Sequence, residues 1–174
     1  MGCGVIMSNG FGVLSDRDIN LRLSELFNSP IHLADIQPAS VDLHLGDVLL
    51  NIDGEEFVLL DKDYILEPGE FILGSTSEYV TVPCDLVAQV DGKSSIGRLG
   101  IDVHKTAGWI DPGFEGNITL EIKNNSDRAF ILRKGMCFCQ IIFFTLTSPC
   151  IVPYGDNCRC NHYQGSKGTV LSKY

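Results

Sequence analysis

The residues best equipped for chemistry lie between positions 91 and 121, in the run DGKSSIGRLGIDVHKTAGWIDPGFEGNITLE. Polar groups of this kind are costly to place beside apolar runs unless they meet a ligand or each other, so the run reads as a pocket. Asp91-Gly92 makes a turn, and Lys93, Ser94 and Ser95 follow it directly. A short helical turn here aims backbone N–H groups and two hydroxyls at an anion, with Arg98 one turn further along the same face. The same residues also make an ordinary capped surface helix. They are not a Walker A loop, because the Gly-x4-Gly-Lys frame is missing. Further on, Asn117-Ile-Thr-Leu-Glu-Ile alternates, with Ile118, Leu120 and Ile122 on one face and Asn117, Thr119 and Glu121 on the other. Turned to water, Glu121 is a solvated charge; turned into a pocket, it can accept and return a proton. Asp111 stands at a Trp-Ile-Asp-Pro-Gly corner, where an aspartate makes an Asx turn or, in a pocket, holds a sugar hydroxyl or orients a water.

The elements that must hold these groups are short strands. Ser15 caps one helix with Asp18 as its capping-box partner, and Ile19, Leu23, Leu26 and Phe27 share a face before Asn28-Ser-Pro ends it. The period then changes from 3.6 to 2. Residues 41–45 alternate, Gly46-Asp47 turns into 48–52, and Asp53-Gly54 turns into 57–60, a hairpin signal. Further strands are expected at 71–74, 79–82, 87–90, 117–122, 129–132 and 138–146, each bounded by turn residues. Little helix and many short strands predict a sandwich, jelly-roll or distorted barrel. Gln140 interrupts an apolar strand and either serves a ligand or braces a loop. Cys137 and Cys139, two apart in that strand, are expected on one side in the core. Beyond Pro149 the pattern turns polar, and Gly165 and Gly168 around Lys167 make a tail that folds over phosphates through N–H groups and one cation or frays as termini do.

At 174 residues one domain is expected, burying roughly 70% of its unfolded surface. The net charge of −9 argues against a general grip on DNA or RNA. The charge is uneven: residues 1–90 carry 15 acidic and 3 basic groups, and residues 91–174 carry 7 and 10. A locally basic site for a small polyanion such as a nucleoside triphosphate is therefore compatible with an acidic chain. The seven cysteines, with no secretory leader or myristoylation pattern, fit reduced thiols in the cytoplasm. The richest apolar run, 136–146, is too short to span a bilayer.

Residues 91–98, 106–113, 116–121 and 163–168 resemble the dCTP deaminase branch of the trimeric dUTPase-like superfamily. Gln37-Pro-Ala-Ser-Val-Asp-Leu-His-Leu-Gly and Leu14-Ser-Asp-Arg-Asp-Ile resemble it too, in family order from residue 13 on. The resemblance implies a mainly β, homotrimeric protein of distorted β-barrel or jelly-roll subunits with one N-terminal amphipathic helix and active sites between neighbours. It implies an extension at 1–13, a barrel domain at 14–152 and a tail at 153–174 closing over the nucleotide. By the same resemblance Glu121 is the general base and acid that activates water for attack on C4 of cytosine. Ser94 and the backbone around Ala107 hold that water, and Arg98 stabilises charge near the base and assists ammonia loss. Lys93, Ser95 and the tail bind phosphates, Asp111 the deoxyribose 3′-hydroxyl, Thr119 the base edge, and Gln140 and Tyr154 other parts of the nucleotide.

This implied deamination of dCTP needs no zinc. Neither Pro83-Cys84 nor Pro149-Cys150 continues to a second cysteine at the zinc-deaminase spacing, and Cys150, Cys158, Cys160 and His162 do not make a usual zinc frame. Magnesium is expected on the triphosphate, and dTTP as a feedback inhibitor. Thr106-Ala-Gly-Trp-Ile-Asp resembles the bifunctional members, which also cut the triphosphate to give dUMP and pyrophosphate. The alternatives are a deaminase that stops at dUTP, a dUTP pyrophosphatase, and a non-catalytic nucleotide-binding module. Three departures from the family pattern stand out. Lys93 replaces an arginine, losing a bidentate fork. His44 replaces another arginine. In the tail, His162 and Ser166 stand where lysine and glutamine are usual, with Lys167 able to restore the charge.

Overall fold

The computed structural model describes residues 12–60, 62–158 and 161–174; residues 1–11 of the expected extension and Cys160 lie outside them. The helix α1 (Asp16–Leu26) forms as its pattern predicts: the Ser15 side chain accepts the Asp18 N–H, and Ile19 and Leu26 are buried. After a 3-10 turn at Leu33–Asp35 come β1 (Ile36–Gln37), β2 (Ser40–His44), β3 (Val48–Leu50), β4 (Glu56–Val58), β5 (Tyr64–Leu66), β6 (Phe71–Thr81) and β7 (Leu86–Gly92). A single helical turn, α2 (Ser94–Gly97), follows, then β8 (Ile101–Asp102), β9 (Trp109–Ile110), β10 (Glu115–Asn124), β11 (Phe130–Leu132) and β12 (Cys137–Thr145).

The strands make two five-stranded sheets, ordered β1-β2-β12-β7-β9 and β4-β3-β6-β10-β8, and a small β11-β5 pair, all antiparallel. One core joins them: Val41, Leu43, Ile141 and Phe143 of the first sheet pack in the same cluster as Leu49, Ile72, Leu120 and Ile122 of the second. Phe27, at the end of α1, closes the core edge-to-face on Phe143, with ring centroids 6.1 Å apart. The chain is mainly β, in the sandwich-like class that its alternation predicts.

Two expectations change. The strands expected at 71–74 and 79–82 are one strand, β6. Its polar middle is buried rather than looped out: the Thr76 hydroxyl donates to the Glu78 carbonyl and accepts the Ile118 N–H. Gly74 within it faces Ile122, Leu45 and Leu49 so closely that a Cβ would sit 3.0 Å from two of them. Cys137 and Cys139 do not share a side. A bulge in the β2–β12 register sends consecutive Phe138 and Cys139 into the core and leaves Cys137 half-buried near Lys93. Among the described residues, no helix is long and apolar enough to cross a membrane.

Candidate active site

The turn after β7 is built by the sheet. Asp91 and Gly92 pair with Gln140 and Cys139 of β12, so the point at which the chain leaves the sheet is fixed. Lys93 is extended, and its carbonyl accepts the N–H groups of Ile96 and Gly97 to start α2. Ile96 anchors the turn in the core, which leaves Ser94, Ser95 and Arg98 exposed. Lys93, Ser94, Arg98, Asp102 and His104 line a cleft of about 480 Å³, within the size range of small-molecule sites. Among the described residues the hydroxyls of Ser94 and Ser95 and the guanidinium of Arg98 have no hydrogen-bond or ion-pair partner. Lys93 does: its ammonium donates to Asp42. Gln140 takes the bracing alternative, accepting from Ser40 Oγ at 3.0 Å and donating to the Gly92 carbonyl at 3.2 Å.

The second group of site residues lies on β10. Burial alternates along this strand, placing Asn117, Thr119 and Glu121 on the polar face as expected. Glu121 is half-buried, and its Oε2 accepts the Lys105 N–H at 2.7 Å. Its own N–H donates to the Val103 carbonyl at 3.1 Å, so β10 runs beside the 103–105 segment whose other residues face the cleft. The tail follows β10. Ser166 bridges Gly116, Gly168 N–H donates to Asn117 Oδ1 at 3.0 Å, and Val170 N–H donates to Thr119 Oγ1 at 3.3 Å. The tail is thus seated on the strand that carries Glu121, not frayed. Ser166 is buried, its hydroxyl donating to the Tyr163 carbonyl at 2.7 Å. His162 is exposed with its carbonyl accepting from Lys173, and Lys167 is exposed with no partner among the described residues.

Asp111 is exposed at the corner after β9, and its carbonyl, not its carboxylate, closes the turn by accepting the Phe114 N–H at 3.2 Å. Gly113 makes the corner possible: its φ is +93°, and a Cβ there would meet the Tyr154 carbonyl at 2.5 Å. Tyr154 is held by its own N–H, which donates to the Pro112 carbonyl at 2.7 Å, by the Phe114 ring at 6.1 Å, and by the Tyr163 N–H, which its hydroxyl accepts at 3.0 Å. Ala107 is exposed just before Gly108, which is buried. A side chain at Gly108 would meet the Val90 carbonyl at 2.8 Å and the His104 ring at 2.9 Å. Trp109 is exposed and stacks on Phe144, with centroids 6.0 Å apart.

Two half-sites result. Lys93, Ser94 and Arg98 line the cleft, with Ser95 on the same turn but outside the lining; Thr119, Glu121, Tyr154 and the tail gather along β10. Among the described residues no hydrogen bond or ion pair joins the two groups within the chain. The sequence reading did not single out Asp42 or His104. Alternation places Asp42 on the solvent face of β2, yet it is 6% exposed because Gln37 and Lys93 cover it. His104 is half-buried, and its Nδ1 is buried with no partner among the described residues; nothing in its flanking residues signals this. His44 is clasped within the chain, Nδ1 lying 2.8 Å from Glu78 Oε1 and Nε2 3.7 Å from Asp35 Oδ1. Among the described residues no three His, Cys, Asp or Glu side chains gather as a metal site.

A family model described as dCTP deaminase-like matches residues 13–146. The chain is 46% identical to the dCTP deaminase, dUMP-forming, of Methanosphaera stadtmanae, over 92% of this chain and 93% of that one. It is 44% identical to the protein of the same name from Dictyoglomus turgidum, over 92% and 94%. The fold also matches the crystal structure of 2′-deoxycytidine 5′-triphosphate deaminase from Agrobacterium tumefaciens, with a TM-score of 0.69 and 25% identity over 78% of this chain. The chain spans about half (49%) of that longer protein. A phage phi11 dUTPase, described with a structural Mg(II) ion, shares the fold at a TM-score of 0.51 and 17% identity.

Proposed function

This chain belongs to the dCTP deaminase-like family, and from that premise we propose that it converts dCTP and two waters to dUMP, ammonia and pyrophosphate. The observation that carries this is its 46% identity, over nearly the whole of both chains, to an enzyme named for dUMP formation.

Deamination begins when Glu121 takes a proton from a water attacking C4 of cytosine, and ends when it hands that proton to the departing amine. The Lys105 N–H on Oε2 fixes the carboxylate before the substrate arrives, which removes reorganisation from the barrier. The Ser94 hydroxyl, unengaged at the cleft mouth, holds the attacking water together with the backbone near Ala107. Arg98, equally unengaged, offsets the charge that develops at the ring and helps ammonia leave. Thr119 meets the base edge and Asp111 the 3′-hydroxyl; Asp111 also orients the second water, for attack on phosphorus. Lys93, Ser95 and the tail's Lys167 meet the phosphates, with His162 and Ser166 beside them. Gln140 acts by fixing the Gly92 carbonyl. Tyr154 supports the tail over the nucleotide.

The two half-sites point to a homotrimer in which the 93–98 turn of one subunit faces β10 of the next. Magnesium would arrive with the triphosphate rather than on side chains of this chain, and would supply charge neutralisation at the phosphates that Lys93, Ser95 and Lys167 meet. dTTP, with the same sugar and phosphates, is expected to compete for this site as a feedback inhibitor.

The test is to incubate the protein with magnesium and, in separate reactions, dCTP or dUTP, and to resolve the products. Equal amounts of dUMP, ammonia and pyrophosphate are expected from dCTP. Accumulating dUTP would limit the activity to deamination, and unchanged dCTP with dUTP cleaved to dUMP would reduce it to pyrophosphatase.

A further inference from the structure

Asp42 is a buried carboxylate one strand away from the substrate-facing turn. It stands on β2 in register with Gln140 of β12, which is in register with Asp91 of β7. Partners in register share a face, so the three make a polar row that ends where β7 gives way to Lys93. Two of them tie down that exit: Gln140 takes the Gly92 carbonyl, and Asp42 takes the Lys93 ammonium. Gln37 donates to the same Asp42 oxygen at 3.2 Å, so the carboxylate is itself held.

A carboxylate removed from water needs a compensating cation. Lys93 is the one cation within ion-pair range of Asp42 among the described residues. The converse matters more for function. A lysine ammonium is a point charge on a flexible stem, and a ligand that must order it loses affinity to rotamer entropy. Asp42 orders it in advance. Because an ammonium has three donors, one can stay on Asp42 while others reach phosphate oxygens. Lys93 also begins α2, so its tether fixes the turn that carries Ser94 and Arg98.

We propose that Asp42 is a positioning residue for triphosphate binding, acting by holding the Lys93 ammonium at the cleft; this rests on the dCTP reading above. Burial pulls the Lys93 pKa down, but Asp42, with Cys137 beside it, outweighs that and leaves it above its ordinary value, so the lysine stays charged.

The test is a cycle of Asp42→Asn, Lys93→Met and the double variant, with steady-state kinetics on dCTP and thermal melts of each. Each single change is expected to raise KM about tenfold and to leave kcat within about twofold. The double variant should raise KM no further than the larger single effect, because both changes remove one interaction. Effects that multiply, or a fall in kcat at unchanged KM, would overturn the proposal. If Asp42→Asn does not fold, the wild-type protein decides. Brief acetic anhydride labelling with peptide mapping should modify Lys93 at least about tenfold more slowly than exposed Lys167, since a paired, more basic amine offers less free base. Equal rates would overturn it. Wild-type protein that leaves dCTP unchanged would defeat the deaminase reading, while labelling would still settle the tether.

Discussion

Glu121 is placed by two backbone contacts: Val103 receives its N–H and Lys105 donates to its carboxylate. Both contacts can persist whether or not the carboxyl is protonated, which suits the proton-carrying role proposed for it. Glu121→Gln keeps the shape and the Lys105 contact but cannot accept the proton. We expect kcat for deamination to fall by on the order of 10³ while dCTP affinity, measured calorimetrically, changes only a few-fold. Turnover near wild type would remove Glu121 from the mechanism. The face that carries this residue was legible from alternation in 117–122. The burial of Asp42 was not, because alternation says which side of a strand a residue takes and not what covers that side.

At the scale of elements, α1 is moored to the turn before β7. Arg22 forms a fork on Asp85, with contacts of 2.7 and 2.9 Å. The Arg22 hydrogen bonds outweigh desolvation and hold the Asp85 carboxyl below its ordinary value. A depressed carboxylate pKa contributes stability above the unfolded value, near 3.8, and loses it as pH falls through the folded value. Asp85→Asn should therefore lower Tm slightly at pH 7, the pair being half-exposed, and the difference from wild type should shrink as pH falls below the unfolded value and vanish once it is below the folded one. A difference that persists in acid would assign the effect to packing instead. Gly108 makes a sharper element-scale prediction. Its carbonyl accepts the Val90 N–H at 2.8 Å, and a Cβ would press on the Val90 carbonyl and the His104 ring. Gly108→Ala should cost roughly 1–3 kcal/mol, read as a lower Tm with β9 displaced from β7; an unchanged melt would show that the 104–108 loop yields freely. Helix α1 and most strands could be placed from the sequence because their periods are strong. β6 could not, since buried Ser75, Thr76 and Glu78 imitate a loop until their partners are known. The bulge at Cys137 was equally hidden, because an extra residue in one strand leaves no mark on composition.

For the whole molecule, the basic second half, residues 91–174, carries both groups of the proposed site: a cationic turn after β7 and an acid on β10, with no hydrogen bond or ion pair between them among the described residues. The family resemblance implies active sites between neighbouring subunits, and the lack of such a bond within one chain is consistent with that proposal. The most direct measurement of that claim uses two inactive variants, Glu121→Gln and Ser94→Ala, unfolded together in equal amounts and refolded as mixed assemblies. If each site joins β10 of one subunit to the 93–98 turn of another, random mixing restores about a quarter of the wild-type sites, and dCTP turnover should recover to about that fraction. Turnover no greater than that of the two variants refolded apart would contradict a site built between chains.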